Sequence, residues 1–129
     1  MKEGTHTPRA KKILLVEDED GLAELLANLL ISDGYDVIIA HNGREGLEKL
    51  EGMKPDAIIS DIVMPEMDGL EMFRQIKANA KTSSVPFLFV SGFQDQTVLE
   101  KARRFGVFGI LQKPIDIEQI ERRLKDLTR

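Results

Sequence analysis

The stretch Ala57-Ile58-Ile59-Ser60-Asp61-Ile62-Val63-Met64-Pro65-Glu66-Met67-Asp68-Gly69-Leu70 passes from a short apolar run, through an acidic residue and a turn, into a helix start. Ala57 to Ile59 shows no polar alternation and includes two β-branched residues, the pattern of a strand buried on both faces. Pro65, Asp68 and Gly69 are turn formers. Leu70, Phe73, Ile76 and Ala80 then recur at helical spacing. A doubly buried strand handing over to an amphipathic helix is half of a strand–helix–strand unit, and it implies a parallel sheet.

Outward from this stretch the same alternation repeats. Ile13 to Val16 and Val37 to Ala40 precede it, and Phe87 to Val90 and Gly109 to Leu111 follow it as further short apolar runs. Between them, Leu22, Leu25, Leu26, Leu29 and Leu30 predict one helical face stopped by Gly34. Leu47 and Leu50 predict a short helix ended near Gly52 and Pro55. Val98, Leu99, Ala102 and Phe105 predict a fourth, closed by Gly106. Ile117, Ile120, Leu124 and Leu127 predict the fifth, with Pro114 just ahead of it. Five strand–helix units with right-handed crossovers make an α/β domain: a doubly wound five-stranded parallel sheet covered by five helices. Residues 1–10 are read as a flexible N-terminal tail and residues 11–129 as one domain.

Composition narrows the class. The chain has 129 residues, 42% apolar and 31% charged, enough for one core. There is no cysteine, which removes disulfides and thiolate metal sites and fits a reducing compartment. No apolar run approaches the ~20 residues of a membrane span, and the charged start lacks the apolar core of a signal peptide. The formal net charge of −4 gives no reason to expect nucleic-acid binding. A cytoplasmic protein with no direct nucleic-acid or membrane partner is expected.

In an open α/β sheet, ligands bind beyond the carboxyl ends of the strands. Those ends carry Glu17 and Asp18, then Asp61, then Ser91 with Gly92, and finally Lys113 with Pro114. Three carboxylates brought together repel, which raises a pKa or recruits a cation. All-oxygen ligation with room for a phosphate suits Mg²⁺ better than zinc. With the metal bound, Asp61 stays ionised and can attack phosphorus to give an aspartyl phosphate. Mg²⁺, Lys113 and the Ser91 hydroxyl would meet the charge on the phosphoryl oxygens.

The residues Val16-Glu17-Asp18-Glu19, Ser60-Asp61-Ile62-Val63-Met64-Pro65-Glu66-Met67-Asp68-Gly69, Val90-Ser91-Gly92 and Gln112-Lys113-Pro114 resemble the receiver domain of two-component response regulators, over about Lys11 to Leu127. The resemblance implies a flavodoxin-like sheet of strand order 2-1-3-4-5, like that of the chemotaxis regulators. It implies that Asp61 is the phosphoacceptor, and that Glu17, Asp18, Asp61 and the Val63 backbone carbonyl hold Mg²⁺. It further implies that Ser91 and Lys113 bind the phosphoryl oxygens and that the Lys113–Pro114 bond is cis. The donor would be a sensor histidine kinase or a histidine phosphotransfer protein. The readout would pass to a downstream protein or a fused output domain, with a phosphorylation-dependent homodimer a further option. Such a domain is a switch rather than an enzyme, catalysing only its own phosphorylation and dephosphorylation. Two departures from the family pattern stand out. Ile110 occupies the position where an aromatic residue usually turns inward, with Phe108 two residues earlier. Val63 and Phe93, which by resemblance flank the path of the hydrolytic water, are apolar.

Each residue alone has a plainer reading. Glu17 and Asp18 suit a helix N-terminus, Ser91 a helix cap, Asp61 to Gly69 a turn, and Lys113 a solvated charge. The joint placement at four strand ends is what weighs against these readings. A Mg²⁺-dependent phosphatase is the competing enzyme class. Many such enzymes carry a second acid two residues after the nucleophile, where this chain has Val63, and no insertion here is long enough for a substrate cap. A structural module that never takes phosphate is disfavoured by the intact Glu17, Asp18, Asp61, Ser91 and Lys113. His41 reads as a solvated loop histidine, Arg103 and Arg104 as an exposed helix face, and Met64, Met67 and Met72 as loop anchors and core.

Overall fold

The computed structural model describes residues 10–92, 96–105, 107, 109–114 and 116–128. Strands β1 (Lys12–Val16), β2 (Asp36–Ala40), β3 (Ala57–Asp61), β4 (Phe87–Ser91) and β5 (Gly109–Gln112) alternate with helices α1 (Asp20–Ser32), α2 (Gly43–Leu50), α3 (Gly69–Ala78), α4 (Gln96–Arg104) and α5 (Ile117–Leu127). The strands form one parallel sheet in the order β2-β1-β3-β4-β5. This is the doubly wound arrangement expected from the sequence.

Strand alternation splits the apolar residues into two cores. Leu14, Val16, Ile58, Phe87 and Phe89 face Met72, Phe73, Ile76, Leu99 and Ala102 from α3 and α4. Ile13, Leu15, Ile59, Leu88 and Val90 face Leu26 and Leu30 of α1 with Ile120 and Leu124 of α5. Phe73, Phe87 and Phe89 pack ring to ring, with centroids 4.6 to 5.7 Å apart.

Several sequence expectations need correction: α4 ends at Arg104 and leaves Phe105 exposed beyond it, and β2, at the sheet edge, leaves Ile38 exposed rather than buried on both faces. In α1 the buried stripe is Ala23, Leu26, Ala27 and Leu30, with Leu22 half-buried, while Leu25 is 56% exposed and Leu29 also faces outward. Helical spacing allows a stripe wider than the sheet can cover, and the two alanines let the backbone approach closely on the narrower arc. In α3 the helix ends at Ala78, so Ala80 lies in an exposed turn rather than on the buried face. The sequence readings of residues 1–9, Phe93, Gly106 and Phe108 fall outside the described residues. No helix among the described residues is long and apolar enough to cross a membrane.

Candidate functional site

Parallel register brings the strand ends level. Val16 pairs with Ala40 and Ser60, Asp61 with Val90, and Ser91 with Gln112. The residues that follow β1 and β5 therefore emerge beside the ends of β3 and β4. Glu17 continues the ladder, its amide donating to the Ala40 carbonyl at 2.9 Å, and the Lys113 amide donates to the Ser91 carbonyl at 2.8 Å.

One oxygen each from Glu17, Asp18 and Asp61 lies within 4.8 Å of the other two. Glu17 is only 2% exposed and Asp61 9%, whereas Asp18 faces solvent. Lys113 reaches across from β5: its Nζ donates to Asp61 Oδ2 at 3.0 Å and lies 3.6 Å from Glu17 Oε1. The other Asp61 oxygen, Oδ1, accepts from the Ile62 amide at 2.8 Å. Glu17 Oε2 accepts from the Glu19 amide at 3.2 Å.

The electrostatics follow from burial. Loss of water, then the neighbouring Asp61 charge, pushes the Glu17 carboxyl up to about 7, against the smaller pull of the Glu19 amide and Lys113. For Lys113, burial alone would lower the ammonium. The Asp61 hydrogen bond and charge, with the Glu17 charge, outweigh it and hold Lys113 above its ordinary range. Lys113 contacts two of the three carboxylates, so the cluster remains short of positive charge. A hard, oxygen-seeking divalent cation fits this donor set: carboxylates alone, partly exposed through Asp18.

Asp61, Ser91 and Lys113 line one cavity of about 320 Å³, completed by Ile62, Val63, Gly92, Val98 and Leu99. Ser91 Oγ is buried and, among the described residues, finds no hydrogen-bond partner. Buried hydroxyls are rarely left this way without a functional reason. Lys113–Pro114 is cis, in line with the sequence reading. Val63, though apolar, is 62% exposed at the rim.

The remaining candidates take the plainer readings. His41 is exposed and sits 3.3 Å from Asp20 Oδ1, Arg103 and Arg104 are exposed, and Met64 and Met72 are buried. Sequence reasoning missed Val98 and Leu99 as cavity wall. Their helical spacing marks them only as core, and their nearness to Asp61 follows from the docking of α4.

Residues 13–125 match the family described as response regulator receiver domain. The transcriptional regulatory protein CrdR of Helicobacter pylori is 37% identical over 115 residues, which are 89% of this chain and 54% of that protein. The sensor kinase CckA of Brucella abortus is 33% identical over 129 residues, covering 98% of this chain and 13% of the kinase. The chain thus spans about half the length, or less, of these curated relatives. Among solved structures, the receiver domain of a signal transduction histidine kinase from Syntrophus aciditrophicus superposes with a TM-score of 0.87 at 32% identity, covering 92% of this chain and 90% of that one. A chemotaxis response regulator of Vibrio cholerae gives 0.83 at 28% identity, with 92% and 98% covered. Fold, strand-end chemistry and family match agree: this chain belongs to the receiver domains of two-component response regulators.

Proposed function

We propose that Asp61 accepts a phosphoryl group from a phosphohistidine donor, a sensor histidine kinase or a phosphotransfer protein, and that the aspartyl phosphate is the signal. The observation that carries this reading is the Asp61 carboxylate, hydrogen-bonded by Lys113 at a cavity that Ser91 also lines, with the buried Ser91 hydroxyl finding no partner among the described residues. Glu17, Asp18, Asp61 and the Val63 carbonyl are the groups that would hold Mg²⁺. Mg²⁺ supplies charge neutralisation, of the carboxylates and of the phosphoryl oxygens they would otherwise repel.

The chain's own residues then have distinct tasks. An Asp61 carboxylate oxygen forms the new O–P bond while the donor's P–N bond breaks and its electron pair returns to the imidazole. The Ile62 amide and Lys113 orient the carboxylate before attack. Lys113 afterwards offers its ammonium to the phosphoryl oxygens, and the Ser91 hydroxyl donates to one of them. Residues 11–129 would act as one receiver unit in the cytoplasm, catalysing only its own phosphorylation and dephosphorylation. It would pass its state to a downstream protein or a fused output domain.

Acetyl phosphate with Mg²⁺ is expected to add one base-labile phosphoryl group, read by intact-mass spectrometry. Chelation or Asp61→Asn is expected to abolish the addition. An Asp61→Asn protein phosphorylated as well as the parent would sink the assignment.

A further inference from the structure

The loop that leaves β3 is held on its outer side by the first turn of α2. The Gly43 amide donates to the Met67 carbonyl at 3.0 Å. Asn42 Nδ2 donates to Glu66 Oε2 at 3.2 Å, while Asn42 Oδ1 accepts from the Glu45 amide at 2.9 Å and so caps α2. One asparagine therefore serves both a helix start and a loop. At the loop's far end, the Gly69 amide donates to the Ile62 carbonyl at 2.7 Å, and Asp68 caps α3 through the Glu71 amide.

The approach is close. A Cβ on Gly43 would stand 2.7 Å from the Met67 carbonyl oxygen and 3.1 Å from that of Asp68, so only glycine fits without displacing the loop. Within the clasped segment Glu66 has φ 65°, the left-handed region that a non-glycine residue occupies only when its surroundings impose it. Neither Asn42 nor Gly43 lines the Asp61 cavity. Their contacts fall instead on Glu66 and Met67, in the loop that leads away from Asp61.

We infer that the Asn42–Gly43 turn is a positioning clasp that holds this loop in its cation-binding shape and thereby couples the divalent cation to the start of α2. The inference rests on the reading of Glu17, Asp18, Asp61 and the Val63 carbonyl as the Mg²⁺ site. Coupling is reciprocal: if the clasp favours the cation, the cation tightens the clasp.

The test uses the full chain, with Mg²⁺ affinity read from amide NMR shifts at Asp18, Ile62 and Val63. Gly43→Ala is expected to weaken Mg²⁺ about 5-fold, the lower end of typical coupling. Asn42→Ser keeps a capping oxygen but loses the amide donor, and is expected to weaken it about 2-fold, as suits one exposed hydrogen bond. Gly52→Ala, at a glycine with open space around it, is expected to bind as the parent does. In the parent, saturating Mg²⁺ is expected to slow hydrogen exchange of the Gly43 amide by about the same 5-fold. A purely structural contact would slow that exchange no more than Mg²⁺ slows the amide of Leu30, at the far end of α1, by stabilising the whole domain. Unfolding midpoints in EDTA show whether each variant folds, and Asn42→Ser carries the test if Gly43→Ala does not. A parent that binds no Mg²⁺ overturns the metal-site reading, and the clasp with it. A parent that binds, with variants binding equally well or with Gly43 exchange slowed no more than that of Leu30, overturns the clasp alone.

Discussion

Glu17 shows at the scale of one residue what the site costs the fold. Its carboxyl is almost wholly buried and stands beside Asp61, so its ordinary value of 4.5 rises to about 7. Between those two values the folded chain holds a proton that the unfolded chain has lost. The stability this provides is fully present below about pH 4.5 and is lost as pH rises through about 7. In EDTA, urea midpoints are therefore expected to carry a contribution from this group that falls between pH 5 and pH 8. Glu17→Gln removes that contribution and is expected to stabilise the metal-free protein at pH 8 by on the order of 1 kcal/mol. A loss of stability at pH 8 would contradict the assignment. Val63 makes a second point at this scale. Its side chain lies exposed at the cavity rim and has no polar atom with which to orient a hydrolytic water. The phosphorylated chain is expected to lose phosphate more slowly than fast chemotaxis regulators do, and Val63→Asn is expected to speed the loss. An unchanged or slower decay, followed by intact mass, would count against this. Phe93, the other residue read as flanking that path, lies outside the described residues.

At the scale of elements, β3 and α3 meet so closely that their junction admits no side chain. A Cβ on Gly69 would press on the Asp61 carbonyl oxygen and stand 2.9 Å from the Phe89 ring. Gly69→Ala is expected to cost about 2 kcal/mol by overpacking, measured by urea denaturation in EDTA; a neutral effect would show that the junction has slack. The neighbouring pair, β4 and β5, bears on how the state is read out. Ile110 opposes Phe89 and packs on the core beneath α4, half-buried. Its β-branched side chain is stiff at χ1 and has no polar tip to exchange between water and core. Phosphorylation is therefore expected to act through Ser91, Gly92 and the first turn of α4, shifting a balance between two states. With Mg²⁺ and beryllofluoride, the largest amide shifts are expected from Ser91 to Thr97, with smaller ones from Gly109 to Leu111. A response concentrated at Ile110, with Gly92 and Gln96 silent, would overturn this.

Across the whole molecule, the sheet separates two cores and ties both to the site. Val16 and Phe89 lie in one core and Leu15 and Val90 in the other, and both sets lead directly into the strand ends that carry Glu17, Asp61 and Ser91. A ligand that binds only the folded site must therefore stabilise the domain as a unit. At ten times its dissociation constant, the gain is about 1.4 kcal/mol. For a domain of this size that raises the melting temperature by about 5 °C. Mg²⁺ with beryllofluoride is expected to produce such a rise in the parent and a much smaller one in Asp61→Asn. Equal rises in the two proteins would place the ligand elsewhere. The chain spans about half the length, or less, of the curated relatives CrdR and CckA.

The sequence by itself determined the elements and their order, because periodicity is local. Doubly buried runs such as Ala57 to Ile59 must sit inside a parallel sheet, and the residue after each run must stand at its carboxyl edge. That much placed Glu17, Asp18, Asp61, Ser91 and Lys113 on one side of the molecule. The tertiary structure decided distances and exposures. Register and crossover packing brought Lys113 to 3.0 Å from an aspartate 52 positions earlier. Docking selected the alanine-lined arc of α1 and left Leu25 outside, a choice that helical spacing leaves open. The contact of Asn42 and Gly43 with Glu66 and Met67, and the left-handed backbone at Glu66, have no local signature. They arise where two segments far apart in sequence meet, and no periodic pattern in either segment encodes that meeting.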